Sequence, residues 1–254
     1  METILDVEAA ARMLGMEGSP VEAVREAMGD AFPKLPLHKV ACIGALVASR
    51  RPEGWQVDAL GAPHIGERSE RDLISAFVDR IAQLRPQLIT FNGNSFDLPA
   101  LRYRAMVNRV SAPGLSARPY FNRYTDDALD LCDVLGSFTP QAKVSLDVVC
   151  KVLGLEGKPG GVDGSQVDAL VREGRIAEVA WYCETDVLNT YRVWQILELF
   201  RGTITSAEFE WGEAQARAFL ASRRFENPYL LAGPTRALST AEENGSTGSA
   251  DADR

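Results

Sequence analysis

An α/β fold is the architecture this sequence predicts, and three observations predict it. Apolar runs rich in small and branched residues, Val40 to Ala48 and Leu88 to Phe91, have the length and composition of buried strands. Longer segments repeat apolar residues at helical spacing, as in Leu73, Phe77, Ile81 and Leu84. Around Leu88 to Met106 the two patterns join as strand, turn and helix, and open α/β folds commonly carry their sites at such strand ends.

Taken in order, Asp6 to Leu14 has the pattern of an amphipathic helix. Ser19-Pro20-Val21-Glu22 starts a second, with Ser19 as its expected cap and Pro20 in its first turn. Pro33 and Pro36 end that helical pattern. Val40 to Ala48 is expected as one strand and Trp55 to Leu60 as the next, with a turn at Ser49 to Gly54. Arg71 to Leu84 is helical, Leu88 to Phe91 a short core strand, and a further helix follows through Leu101 and Met106. Ala128 to Leu131 adds a short strand, and Val144 to Leu153 a helix closed by Gly154. The Gly157 to Gly164 stretch is a loop, and it lacks the lysine and spacing of a phosphate-binding P-loop. Ser165 is the expected cap of a short helix through Val171. The longest helical pattern covers Ile176 to Phe200, and a last one Ser206 to Ser222. The expected division is one domain over 1–231 and a disordered tail over 232–254, where small and polar residues dominate.

A chain of 254 residues can bury one substantial core. It contains no apolar run near the roughly 20 residues that cross a bilayer. Glu2 and Asp6 do not suit a signal peptide, so the expectation is a cytoplasmic protein without a membrane partner. Cys42, Cys132, Cys150 and Cys183 form no Cys-x-x-Cys pair and are expected as buried free thiols. His38 and His64 make no zinc signature. A net charge of −8 argues against nonspecific coating of nucleic acid. It leaves room for a nuclease with a local basic track. Arg102, Arg104, Arg109, Arg118 and Arg123 follow one another without an intervening acid, interleaved with Tyr103, Tyr120, Phe121 and Tyr124. That window reads either as a track for phosphate, with Tyr120 or Phe121 stacking a base, or as a solvated helix and a packed loop. Lys143 is another conceivable phosphate contact.

Two carboxylate motifs carry the chemistry. Asn92-Gly93-Asn94-Ser95-Phe96-Asp97 follows a strand, and Tyr182-Cys183-Glu184-Thr185-Asp186 lies in the longest helix. Asp97 reads as a metal ligand or as a helix cap, and Asn92-Gly93 as a turn in either case. Tyr182 and Asp186 are four residues apart, so a phenol and a carboxylate share one helical face. Glu2, Asp97 and Asp186, brought together from distant segments, would offer oxygen ligands to two Mg²⁺ or Mn²⁺ ions.

The chain resembles the predicted bacterial 3′–5′ exonucleases related to the proofreading domain of family B DNA polymerases, in the DnaQ-like, ribonuclease H-like superfamily. Asn92, Phe96 and Asp97 match the family's Asn-x-x-x-Phe/Tyr-Asp motif. Tyr182 and Asp186 match its Tyr-x-x-x-Asp motif, which marks the tyrosine (DEDDy) type. Glu2-Thr3 is similar to the end of an Asp-x-Glu-Thr motif. The likeness runs over roughly residues 2 to 215.

The resemblance implies a three-layer fold with a central mixed sheet flanked by helices. It also implies that the first central strand and its terminal Asp lie before Met1. It further implies metal-dependent hydrolysis at the 3′ end of single-stranded nucleic acid, with DNA the favoured substrate. Glu2 and Asp186 would hold the catalytic metal, Asp97 the second ion, and Tyr182 the nucleophilic water. Asn92 and Phe96 would support the substrate end, with Arg102, Tyr120 and Arg123 as further nucleic acid contacts. A catalytically inactive nucleic acid-binding or protein-interaction domain of the same fold is the alternative. Neither oligomeric state nor biological role follows from these residues.

Overall fold

The computed structural model describes residues 1–29, 31–157, 164–223 and 227. The expected 232–254 tail, and residues 158–163 of the expected Gly157 to Gly164 loop, lie outside the described residues. Strand β1 (Glu2–Leu5) opens the chain and pairs antiparallel with β2 (His38–Cys42). Between them lie α1 (Val7–Leu14) and α2 (Val21–Met28). Asp6 caps α1, because its carboxylate accepts the Ala9 amide at 2.9 Å. Pro20, not Ser19, is the cap residue of α2, and no side chain bonds to that helix start.

The expected single strand from Val40 to Ala48 is two strands. After β2 the chain bends at Ile43-Gly44 and resumes as β3 (Ala45–Arg51), which forms an antiparallel hairpin with β4 (Gly54–Gly61). Gly44 explains the break. A Cβ there would lie 2.7 Å from Cys183 Sγ and 2.9 Å from Val187 Cγ2, so a distant helix rests on the bare backbone. Gly44→Ala is expected to lower stability by about 1–3 kcal/mol through overpacking. Urea unfolding checks this; a variant as stable as the parent would mean that the helix yields freely.

Helix α3 (Glu70–Leu84) starts at Ser69, whose hydroxyl accepts the Asp72 amide. It leads into β5 (Leu88–Thr90), the Asn92–Ser95 turn and α4 (Asp97–Val107). Strand β6 (Ala128–Asp130) pairs parallel with β5, setting Thr90 opposite Asp130. Leu131 is not its last residue: it begins α5 (Leu131–Leu135), because the Asp130 carboxylate accepts the Cys132 amide and starts a helix there. Helix α6 (Leu146–Val152) is capped by Ser145, and Gly154 closes its end with φ +71°, in the left-handed region. A short 3-10 turn at Gly164–Gln166 precedes α7 (Val167–Arg172), which Ser165 does not cap. Two helices finish the described fold, α8 (Ile176–Arg201) and α9 (Ser206–Ser222). The second opens on a capping box between Thr205 and Glu208.

Hydrogen bonding joins the described strands in three pairs, two antiparallel and one parallel, within a mixed α/β molecule. One apolar core lies between α3 and α4, and includes Val40, Leu73, Ile74, Leu101 and Tyr120. A second joins the β3–β4 hairpin to α8 and α9, through Val57, Leu131, Tyr191, Trp194 and Ala216. Arg104 of α4 crosses between elements: it reaches Asp6 Oδ2 at 2.6 Å and Glu70 at 2.7 Å, and all three side chains are nearly enclosed. The four cysteines are buried and free, as their apolar settings suggested. Among the described residues, no helix is long and apolar enough to cross a membrane.

Candidate nuclease site

Three elements meet at one cavity of about 410 Å³: the start of β1, the strand–turn–helix unit of β5 and α4, and the first half of α8. Glu2, Asp97, Tyr182 and Asp186 all line it, as do Asn92 and Phe96. Each arrives by simple local physics. Thr90 and Asp130 sit opposite each other at the ends of two parallel strands, where backbone pairing runs out. The chain then turns through Asn92, whose φ of +64° is one that asparagine tolerates. Gly93 is packed so closely that a Cβ would lie 2.5 Å from Thr90 Cβ. That turn delivers Asp97 to the first position of α4. No side chain caps α4, and the Asp97 carboxylate lies instead 3.0 Å from the Met1 amino group.

Asp130 holds the turn in place. Its carboxylate accepts the amides of Asn92 at 2.7 Å, Asn94 at 2.9 Å and Cys132 at 3.0 Å. Burial and the nearby Asp133 charge nevertheless leave its pKa above the ordinary carboxylate value, against the pull of those amides. Sequence reasoning passed over Asp130. The available signal was an acidic residue ending a short apolar strand.

On α8, Tyr182 and Asp186 lie one turn apart. Burial raises the phenol pKa strongly, and the adjoining Asp186 carboxylate raises it further, so Tyr182 keeps its proton at neutral pH. Glu2 is pushed up to about 8, first by burial, then by the charges of Cys183, Asp186 and Asp97, against the opposing Met1 amino group. The carboxylates thus repel one another across a shared space, as groups that bind cations do. Thr90 Oγ1, buried and without a hydrogen-bond partner, belongs to a residue lining the same cavity. The oxygen donors fit Mg²⁺ or Mn²⁺ in chemistry. In position they do not form a closed ligand shell: among the described residues, no three His, Cys, Asp or Glu side chains group closely enough to hold a metal ion.

A scan of known families matches residues 30–232 to predicted 3′–5′ exonucleases related to the exonuclease domain of PolB. The chain belongs to this exonuclease family. The matched span includes Asp97, Tyr182 and Asp186 and begins after Glu2. No curated protein and no solved structure matches the chain.

The arginine window of this exonuclease-family chain divides into separate tasks. Arg104 is buried in the Asp6–Glu70 network, and Arg118 pairs with Asp127 at 2.6 Å. Arg102 lies over the Phe121 ring, 4.6 Å from its centroid, and does not line the cavity. Tyr120 is fully buried and donates its hydroxyl to the Pro86 carbonyl at 2.7 Å, so it packs the core and presents no face to a base. Arg123 is closer to the site's border. It pairs with Asp133, which also binds Lys143 at 2.7 Å, and Lys143 Nζ lies 3.3 Å from Ser95 Oγ and 3.4 Å from Asn92 Oδ1. The Asp133 carboxyl is buried, but these two cations hold its pKa below the ordinary value. Lys143 therefore sets a cation at the Asn92 turn.

Proposed function

We propose that this protein is a metal-dependent 3′–5′ exonuclease of the tyrosine type, acting on the 3′ end of single-stranded DNA. The convergence of Glu2, Asp97, Tyr182 and Asp186 on one cavity carries this reading, together with membership of the exonuclease family. The three-layer ribonuclease H-like arrangement is the finer fold that it entails. Glu2, Asp97 and Asp186 would hold the ions, which when bound supply a polarised water and charge stabilisation at the leaving oxygen. The chain's own residues do the rest. Tyr182, kept protonated, donates its hydroxyl toward the Asp186 carboxylate and leaves an oxygen lone pair that would accept from a water there. Lys143 presents its ammonium to an incoming phosphate at the Asn92–Ser95 turn, and Asp130 keeps that turn from shifting.

The test uses single-stranded DNA and RNA labelled at the 3′ or 5′ end, incubated with Mg²⁺, with Mn²⁺ and with a chelator. The expected result is stepwise release of mononucleotides from the 3′ end that stops on chelation. A second reading, a domain that binds nucleic acid without cutting it, draws on the open spacing of the carboxylates. Binding without release in either metal would establish that one instead.

A further inference from the structure

We infer that Phe32, with His38 and Phe96 behind it, forms a base-stacking platform that receives the single-stranded nucleic acid leading into the cavity. The inference rests on the exonuclease reading above and extends it to how the substrate strand is held. A groove of about 1330 Å³ adjoins the cavity and shares Glu2, Asn92 and Phe96 with it. The aromatic cluster stands on its wall. Phe32 and His38 have ring centroids 4.8 Å apart, His38 meets Phe96 edge-on at 4.9 Å, and Phe32 lies 5.8 Å from Phe96. His38 is fixed from behind: its ring nitrogens bond to Thr3 Oγ1 and to the Pro33 carbonyl, each at 2.9 Å.

Phe32 itself is 75% exposed. An apolar ring held by two aromatic neighbours and left open to solvent is poorly explained as core packing. A nucleobase has a π-face that stacks on such a ring whatever its sequence, whereas a folded protein partner needs a wider apolar patch. Charge on the same groove suits a phosphodiester backbone. Lys34, Arg25 and Arg172 line it against the carboxylates of Asp168, which binds both arginines, and Glu2, so cations outnumber acids among its described lining residues. Phe96 lines both this groove and the cavity of Glu2, Asp97 and Asp186, so a strand stacked on the cluster leads toward the carboxylates.

The experiment compares the full chain with Phe32→Ala and Phe32→Trp on 3′-labelled single-stranded oligonucleotides, measuring anisotropy and, with Mn²⁺, KM and kcat. A parallel oligonucleotide series carries one abasic site walked back from the 3′ end. Phe32→Ala should weaken binding and raise KM roughly 10-fold with kcat little changed. Phe32→Trp should restore both, and at one abasic position the Ala and parent proteins should bind alike. Equal affinity of parent and Phe32→Ala on every oligonucleotide would overturn the platform while leaving the nuclease reading intact. A parent that neither binds nor cuts any oligonucleotide would remove both.

Discussion

Asp186→Asn is expected to reduce metal-dependent release of nucleotides at least about 100-fold, a loss near 2.7 kcal/mol of transition-state stabilisation. Asn keeps the shape of Asp and removes the charge, so the deficit falls on cation binding and not on packing. The effect on folding should be small. Asp186 is one of the charges that push Glu2 up to about 8, and neutralising it relieves repulsion in a buried space. Asp97→Asn should give a loss of similar size, since that carboxylate reaches the same cavity from α4. Single-turnover assays with urea unfolding alongside separate the two quantities. If stability and activity fell together, Asp186 would be a structural residue, and the exonuclease reading would lose its strongest support.

The second large effect concerns stability. Arg104→Met should cost about 3–5 kcal/mol, because it leaves Asp6 and Glu70 enclosed without their shared cation. Arg102→Met, two residues away on the exposed side of α4, should stay within about 0.5 kcal/mol and serves as the control. The difference should depend on pH in a definite direction. Burial alone would raise the Asp6 pKa, but the Ala9 amide and the Arg104 guanidinium outweigh it and hold it below the ordinary value. A lowered folded-state pKa stabilises fully above the unfolded value of about 3.9 and is lost as pH falls through the folded one. In Arg104→Met burial acts on Asp6 without its cation, so the gap between parent and variant should be full at neutral pH, begin to narrow above about pH 4 as the variant's carboxyl takes up its proton, and close as pH falls through the parent's lowered pKa. Chemical denaturation across that range measures it; a gap that closed near neutrality would assign the stabilisation to other groups.

These cases show which parts of the molecule the sequence made legible. Helices with their own signals were readable: the Leu73, Phe77, Ile81 and Leu84 spacing for α3, and the long apolar pattern of α8. The two carboxylate motifs were readable too, because their spacing is local and the structure brings them to one cavity. What escaped depends on distant partners. Strand β1 has four residues and acquires its identity from β2, more than thirty residues later. The break at Gly44 answers to Cys183 on α8, and the burial of Arg104 answers to Asp6 and Glu70. Tyr120 looked like an aromatic contact until the Pro86 carbonyl gave its hydroxyl an internal partner. A charge or ring in sequence carries no record of which face it will turn inward.

Helix α8 gives these observations one further consequence. Its 26 residues extend about 39 Å, with Tyr182 and Asp186 at the cavity and Tyr191, Val193, Trp194 and Leu197 in the second core. An active-site loop can open by itself at little cost, but the middle of such a helix can be exposed only by dismantling the core around it. Amide exchange near Asp186 should then follow global opening, and on heating catalysis should persist until the fold itself gives way.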